Sequence, residues 1–273
     1  YIVNVDISGW ASWYNCIASS IFFSFVKFLI GRIFIILSLL ISATTLADPF
    51  IEERNFVVEA KLSFLPKIPV MSIDTVLEIQ DNNYEYKFSI RTNNIVDFIN
   101  KVNGDGSIIG IIDEFYKPLH YQYRYTRKEK EKFVEIKYSG TSITELNLIP
   151  EPDKKKLTKI DDDMLINTID PSSFFLNILN YENVKDCEKT FRIFDGKRRY
   201  DILFTKADKI ISSNLIYCKA NQIKLGGYKI DEDEDVFASS DYIKVIYNDN
   251  DKKDFYGYEA NNGAVTLFIN EVK

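Results

Sequence analysis

The sequence has few of the residues on which histidine, thiol and metal chemistry depends. Its 273 residues include one histidine (His120), three cysteines and two methionines. Ser-His, Cys-His and most zinc sites need a histidine beside a suitable partner, and no Gly-x-Ser-x-Gly motif is present. His120 lies in a tyrosine-rich stretch, where a lone histidine most often has a structural role. The sequence therefore predicts no catalytic residue, no metal site and no cofactor.

Proline and glycine are also few, and acidic residues outnumber basic ones. The 7 prolines and 11 glycines exclude collagen-like and glycine-rich linker proteins. The 34 basic and 40 acidic residues give a net charge of -6, which argues against a nucleic-acid-binding surface. A 46% apolar content with 20 Phe and 17 Tyr predicts a folded domain with an aromatic core.

Long apolar runs are missing except near the N-terminus. Lys27 and Arg32 precede the apolar stretch 33–41, and small residues then lead to Ala47 and Asp48. This order of basic, apolar and small residues predicts a secretory signal peptide that is cleaved between Ala47 and Asp48. The alternative is a retained membrane anchor, although the apolar stretch by itself is too short to span a bilayer.

Export sets the expected boundaries of the mature protein. We expect residues 1–47 to comprise upstream residues and a signal peptide at about 26–47, because the chain does not begin with Met. Residues 48–273 then form a single β-rich domain in the periplasm, which does not span the membrane. Its net charge is 32 - 39 = -7, since Asp6, Lys27 and Arg32 are removed.

Two cysteines, Cys187 and Cys218, remain in the mature chain. Exported proteins enter an oxidising compartment, so we expect these residues to form a disulfide. The alternative is a pair of buried free thiols, because separation along the chain does not establish the geometry of a disulfide.

The dominant pattern of the mature chain is alternation of apolar and polar residues. The clearest examples are 56–64, 84–90 and 134–138, and similar stretches lie near 200–204 and 243–247. Period two with one polar face predicts half-buried antiparallel strands. We predict a mainly β fold, in which one antiparallel sheet forms a half-barrel, barrel or sandwich.

Turn signals separate these strands. Asp105-Gly106, Asp195-Gly196, Asn262-Gly263 and the polar run 248–251 are typical of hairpin turns. Each lies between apolar segments, as the connections of an antiparallel sheet would.

Two short helices and one exposed crossing complete the prediction. Apolar residues share one face at 94–101, and a second helix follows Asp170, which can cap it, and Pro171. Both helices are expected to plug or cover the sheet. The stretch 150–163 has two prolines, a basic run and an acidic run, and is predicted to be an exposed crossing.

The C-terminal half resembles a known family. Its features are TIDPSSFFLNILN, then Cys187, FDGKRRYD at 194–201, Cys218 in IYCKANQI, and GGY. These residues are similar to the bacterial exported family catalogued as domain of unknown function 3108, most closely over 170–265 and less closely from Tyr84. The resemblance implies a β-rich envelope protein of a Gram-negative bacterium, and it brings no assigned enzymatic activity.

The basic cluster Lys197, Arg198 and Arg199 is a candidate anion-binding site. Neighbouring strand residues point to opposite faces, so one arginine is expected to point inward. There it needs Asp195, Asp201 or a bound anion. A solvated strand start with one internal ion pair is the simpler interpretation, and recognition of a lipid head group or acidic polysaccharide is the functional one.

A tyrosine stripe is the second candidate. Its members are Tyr84, Tyr86, Tyr121, Tyr123 and Tyr125. Such a stripe can line a cavity for acyl chains or sugars, but it more often packs the core with its hydroxyl groups at the rim.

These observations leave three kinds of function. The first is a non-catalytic periplasmic protein that binds or escorts a lipid, a polysaccharide or an envelope protein. The second is an envelope glycan hydrolase with a carboxylate pair, and the third is a structural component of an envelope assembly. A closed apolar cavity favours carriage, two facing carboxylates favour hydrolysis, and a flat apolar patch favours assembly.

Overall fold

The computed structural model describes residues 48–62, 65–93, 101–127, 129–212, 214–230, 242–261 and 265–272. The predicted signal peptide and Ala47 lie outside the described residues. So do the Asn262-Gly263 turn and the predicted helix at 94–101, apart from its last residue. Across the described ranges, no helix is long and apolar enough to cross a membrane.

The described chain folds mainly into β-strands, as predicted. Fourteen strands within the described ranges form one open antiparallel sheet. Their bounds are β1 (Phe50–Leu62), β2 (Ile68–Gln80), β3 (Asn83–Thr92), β4 (Val102–Ile112), β5 (Tyr116–Arg127), β6 (Lys130–Ser139), β7 (Ser142–Ile149), β8 (Thr190–Phe194), β9 (Arg199–Phe204), β10 (Ile210–Ser212), β11 (Leu215–Gly226), β12 (Tyr242–Asn248), β13 (Phe255–Asn261) and β14 (Val265–Glu271).

The first strand joins the two halves of the sheet. The strands follow the order β7-β6-β5-β4-β3-β2-β1-β14-β13-β12-β11-β9-β8, and β10 pairs with β11. On one side β1 pairs with β2, and on the other Val58 faces Ile269 of β14. The C-terminal strand therefore closes onto the N-terminal strand in the middle of the sheet.

One α-helix, α1 (Pro171–Ile178), lies among the described residues and begins where the sequence predicted it. The Asp170 carboxylate accepts hydrogen bonds of 2.9 Å from the backbone N–H groups of Ser172 and Ser173. These bonds satisfy two of the unpaired donors at the start of the helix. A 3₁₀ turn at Tyr181–Val184 follows the helix.

Helix α1 packs inside the sheet and contacts both halves of the core. Phe174 and Ile178 belong to a cluster with the C-terminal strands, and Leu176 belongs to a cluster with β2–β6. Asn177 is fully buried, and it bonds the backbone N–H and C=O of Tyr116 through its side chain at 2.9 Å each. The helix is thus fixed to the start of β5.

The two ends of the open sheet approach each other around α1. Phe194 of β8 packs in the same cluster as Ile136 and Tyr138 of β6. A Cβ atom on Gly196, in the β8–β9 turn, would meet Val134 of β6 and Leu148 of β7. The sheet therefore curls until the β8–β9 turn faces the β5–β7 end.

The predicted turn at Asp105-Gly106 is wrong. Both residues lie inside β4, where Gly106 faces Phe88 of β3 and Tyr123 of β5. A Cβ atom at Gly106 would overlap the Phe88 ring, and one at Gly110 would overlap the Tyr84 ring. These glycines are present because aromatic rings lie directly on the strand, which is a known use of glycine in sheets. The Asp195-Gly196 turn and the turn after Asn248 join strands as predicted.

The stretch 150–163 connects β7 with the region before α1, and most of its residues are exposed. It contains a 3₁₀ turn at Lys154–Lys156 and passes the end of β11, where Leu157 forms a β-bridge with Lys229. The crossing therefore links the last strand of the first half to the second half.

Candidate functional site

The candidate site lies where the two ends of the sheet meet. We call it the junction cleft, a cavity of about 360 Å³ between the β5–β6 hairpin, the end of β7 and the β8–β9 turn. It is lined by Tyr125, Arg127, Lys132, Phe133, Val134, Leu148, Ile149, Pro150, Glu151, Pro152, Asp195, Lys197 and Arg198. Its volume is at the lower end of the usual range for small-ligand pockets.

Asp195 holds the β8–β9 wall of the cleft in place. Its Oδ1 accepts hydrogen bonds from the backbone N–H groups of Lys197 (2.9 Å) and Arg198 (2.5 Å). Its Oδ2 accepts a 2.8 Å bond from Nε of Arg198. Gly196 has a φ of +92°, a left-handed conformation that glycine adopts without steric cost. The sequence thus builds a rigid turn that presents Lys197 and Arg198.

The opposite wall comes from the β5–β6 hairpin. Arg127 and Lys130 face each other at the end of the hairpin, and Lys132 is paired with Tyr125. Nζ of Lys132 lies 5.8 Å from the centre of the Tyr125 ring, within range of a cation–π interaction. Beyond the hairpin, Leu148, Ile149 and Pro150 add an apolar side to the cleft.

Positive charge is concentrated in the junction cleft, although the chain as a whole is acidic. Four lining side chains are cationic (Arg127, Lys132, Lys197 and Arg198) and two are anionic (Glu151 and Asp195). Burial, followed by the charges of Arg127 and Lys197, lowers the pKa of Lys132. A neighbouring cation that lowers a lysine pKa marks a region of positive potential, which a bound anion would relieve.

The predicted tyrosine stripe is divided between the core and the cleft. Tyr84, Tyr86 and Tyr121 are between 2% and 5% exposed and pack inside the sheet. Tyr123 and Tyr125 are half-buried, and their rings stack with centres 4.8 Å apart and planes inclined by 15°. Of the five, only Tyr125 lines the junction cleft.

Arg199 is separated from the other two members of the basic cluster. Its side chain is 1% exposed, and Nη1 donates a 2.6 Å hydrogen bond to Oδ1 of Asp201. Nε donates to the carbonyl oxygen of Met164 at 2.7 Å. Arg199 is therefore the inward-pointing arginine that the alternation predicts, with Asp201 as its carboxylate partner, and it does not line the cleft.

The remaining sequence candidates lie elsewhere. His120 Nε2 is 3.0 Å from Oε1 of Glu135 on the neighbouring strand. Cys187 and Cys218 are joined in a disulfide with a Cα–Cα distance of 5.2 Å. In the described part of the chain, no three His, Cys, Asp or Glu side chains are placed to hold a metal ion.

A second opening lies between the first half of β1 and the β12–β13 turn. This cavity of about 480 Å³ is lined by four carboxylates, from Glu52, Glu53, Asp254 and Glu271, and by Arg54, Lys252 and Lys253. Nη2 of Arg54 lies 2.7 Å from Oε1 of Glu52, and its Nε lies 3.9 Å from Oε1 of Glu271. Carboxylates and cations are nearly balanced here, in contrast to the junction cleft.

The sequence did not single out Arg127, Lys132 or Phe133. The sequence does contain a pattern that could have indicated them, because basic residues lie on both sides of the turn that follows Tyr125. The hairpin and the β8–β9 turn are about 65 residues apart in sequence, from Lys132 to Lys197, and only the curl of the sheet brings them together.

No curated protein matches the sequence. Among solved structures, the chain is similar to a beta-barrel-like protein of domain of unknown function DUF1849 from Brucella abortus. Identity is 9%, the TM-score is 0.41, and the match covers 81% of this chain and 95% of that chain. It is also similar to a DUF1329 family protein from Desulfovibrio piger, at 8% identity and a TM-score of 0.19, covering 84% and 86% of the two chains.

The family model described as "Protein of unknown function (DUF3108)" matches residues 59–254. The matched range includes most of the described sheet, helix α1, both disulfide cysteines and every residue that lines the junction cleft. The chain belongs to this family.

Proposed function

We propose that this protein is an exported, non-catalytic binding or escort protein of the bacterial envelope, which holds an anionic envelope component in the junction cleft. The observation that carries the proposal is the cluster of four cations in a cavity of an acidic protein. Cationic side chains outnumber carboxylates four to two in this lining, with Arg198 bonded to Asp195, and such an excess inside a concave site attracts and orients anions.

The apolar side of the cleft supports binding of more than a free inorganic ion. Phe133, Val134, Leu148 and Ile149 line the same cavity as the cations. Sites for organic ligands combine such apolar walls with a few charged groups that fix orientation. The ligand therefore carries an anionic group on an organic body, as envelope lipids and acidic polysaccharides do.

The placement of carboxylates supports binding over hydrolysis at this site. Asp195 is bonded to the turn and to Arg198, and Oε1 of Glu151 lies 3.8 Å from Nζ of Lys154. A glycosidase needs one carboxylic acid that donates a proton and one carboxylate on the opposite side of the substrate. Each acid of the junction cleft instead has a cation as its neighbour.

The proposed location is the periplasm. The support comes from the signal-like order of residues before Asp48 and from the disulfide between Cys187 and Cys218, a bond typical of oxidising compartments.

The proposal is tested by removing charge from the cleft. Tagged wild-type protein and the double variant Arg127→Ala/Lys132→Ala are incubated with protein-free envelope extract, and bound material is quantified by mass spectrometry. We expect the wild type to retain an anionic compound and the variant to retain at least about tenfold less, because two charge-assisted contacts are lost.

A matched control loses the same charge elsewhere. Lys61→Ala/Lys206→Ala removes two exposed lysines that do not line the cleft, and should retain as much compound as the wild type. Equal retention by the cleft variant and the wild type, or no retained compound in any of the proteins, would overturn the proposal.

A further inference from the structure

We infer that the core contains a water-binding site between helix α1 and strands β3 and β6, in which ordered water joins two tyrosine hydroxyl groups to the first turn of the helix. The hydroxyl groups belong to Tyr84 of β3 and Tyr138 of β6. Neither tyrosine lines the junction cleft, so this site is separate from the one on which the proposed function depends.

The two hydroxyl groups are buried donors without an acceptor. Among the described residues, Tyr84 and Tyr138 carry the only buried side-chain oxygen or nitrogen atoms that lack a hydrogen-bond partner. Tyr84 is 2% exposed and Tyr138 is 8% exposed, so bulk water does not reach their hydroxyl groups. Native proteins usually satisfy such groups with ordered internal water. Two of them in one region of the core point to a bound ligand.

The first turn of α1 offers the acceptors that these donors lack. Oδ1 of Asp170 accepts hydrogen bonds from the backbone N–H groups of Ser172 and Ser173, and Oδ2 accepts a 2.5 Å bond from the Ser173 hydroxyl group. Carboxylate and hydroxyl oxygens each have two lone pairs. Oδ2 of Asp170 can therefore accept a second bond, and the hydroxyl oxygen of Ser173 can accept while it donates.

Both tyrosines face this turn. A Cβ atom on Gly110 of β4 would lie 2.6 Å from Cζ of Tyr84, so the Tyr84 ring leans from β3 over β4, in the direction of β6. Burial raises the pKa of Tyr84 and Tyr138, and the charge of Asp170 raises both further. Ser173 acts on Tyr84 in the opposite direction, although the two side chains do not meet the geometry of a direct hydrogen bond. A bridging water accounts for groups that are close but not bonded.

Water fits these groups better than an ion does. Each tyrosine needs an acceptor for its proton, whereas Asp170 and Ser173 can accept one, and a water molecule both donates and accepts. A cation would use the oxygen lone pairs and leave the tyrosine protons unpaired, and the Asp170 carboxylate would repel an anion. Buried water makes about three hydrogen bonds to protein, and the four groups supply that number.

A high-resolution crystal structure of the full chain tests the site directly. We expect a water oxygen within about 3 Å of a tyrosine hydroxyl oxygen and of Asp170 or Ser173. In crystals of Tyr138→Phe this water should be displaced or lost. A wild-type structure without such a water, or with direct bonds from both hydroxyl groups to protein atoms, would overturn the inference.

Urea denaturation supplies the second readout. Tyr84→Phe and Tyr138→Phe should each lower the ratio of folded to unfolded protein by about fivefold, because each variant removes one bond of the water. The double variant should lose less than the product of the two single losses, since the water is shared. Tyr247→Phe is the matched control, because its hydroxyl group donates directly to the Ile178 carbonyl oxygen at 2.8 Å.

Hydroxyl groups without any partner give the opposite result. Their removal relieves a desolvation penalty, so Tyr84→Phe and Tyr138→Phe would be as stable as the wild type or more stable, while Tyr247→Phe still loses stability. That outcome would overturn the inference. Independent losses that multiply in the double variant would also overturn it, because they exclude a shared water.

Discussion

Arg199 and Asp201, two residues apart on β9, form an ion pair in which Nη1 of the arginine lies 2.6 Å from Oδ1 of the aspartate. Arg199 is 1% exposed, while the neighbouring Arg198 is 37% exposed and reaches Asp195 at the edge of the junction cleft. Two arginines adjacent in sequence therefore have different environments: Arg199, at the start of β9, lies inside the fold, and Arg198, in the β8–β9 turn, lies at its surface.

Replacing each arginine by alanine should have very different effects on stability. Arg199→Ala removes the donor to the Asp201 carboxylate and leaves the Met164 carbonyl with only the 3.2 Å bond from Arg192, and should lower the free energy of unfolding by about 3 kcal/mol. Arg198→Ala removes a partly exposed pair, and should cost about 1 kcal/mol or less. Urea denaturation followed by circular dichroism measures both, and equal losses would show that Arg199 is not a buried anchor.

The disulfide should stabilise the second half of the sheet. Cys187 and Cys218 are 31 residues apart, so breaking the bond frees a loop whose closure is worth about 3.7 kcal/mol in the chain-entropy model. We expect Cys187→Ala/Cys218→Ala to melt at a lower temperature than the wild type. A reducing agent should lower the melting temperature of the wild type and leave that of the variant unchanged. An identical melting temperature for oxidised wild type and variant would contradict the predicted stabilisation.

The buried carboxyl group of Asp170 should make the protein less stable as pH rises, which is the opposite of the usual effect of a carboxyl group. Its complete burial raises its pKa from 3.8 to about 6, although bonds from Ser173 and Ser172 oppose the shift. Between these values the folded state binds more protons than the unfolded state, so the free energy of unfolding falls as pH rises. Ionisation should cost about 3 kcal/mol by pH 7, compared with pH 3.

Asp170→Asn isolates this contribution, because asparagine retains the capping oxygen but does not titrate. The difference in unfolding free energy between wild type and variant should shift in favour of the wild type as pH is lowered from 7 to 4. Urea titrations at several pH values provide the measurement. If the difference is constant across this range, the pKa of Asp170 is the same in the folded and the unfolded protein, and the prediction is wrong.

Even small substitutions of the glycines of β4 should destabilise the protein. Gly106→Ala places a methyl group against the Phe88 ring, and should lower the free energy of unfolding by about 1–3 kcal/mol. Asp105→Ala changes the adjacent exposed residue, and should change stability by about 0.5 kcal/mol or less. The second change Phe88→Leu should recover part of the loss in Gly106→Ala, because it makes room for the methyl group. If the double variant recovers no stability, contact with the Phe88 ring is not the reason for glycine at position 106.

Much of the fold follows from local patterns. Alternation in 84–90 predicts β3, and Asp170-Pro171 predicts the start of α1, because each depends on residues close together in sequence. The turn predicted at Asp105-Gly106 is wrong because the same dipeptide suits both a hairpin turn and a strand on which aromatic rings pack. Only the neighbours on β3 and β5, which are distant in sequence, decide between the two.

The site was less predictable than the fold. Lys197, Arg198 and Tyr125 were singled out separately, but nothing local indicates that they share a cavity. That relationship depends on how far fourteen strands curl, which is the sum of small twists and of the packing around α1. Arg127 and Lys132 were missed because lysines and arginines beside a hairpin turn usually point into solvent.

The most direct measurement of the central claim is native mass spectrometry of protein purified gently from the cells that make it. We expect wild type and Lys61→Ala/Lys206→Ala to carry a bound anionic compound, and Arg127→Ala/Lys132→Ala to be recovered without it. A wild-type protein that carries no such compound, or a cleft variant that carries it equally, would contradict the assignment of the junction cleft as the binding site.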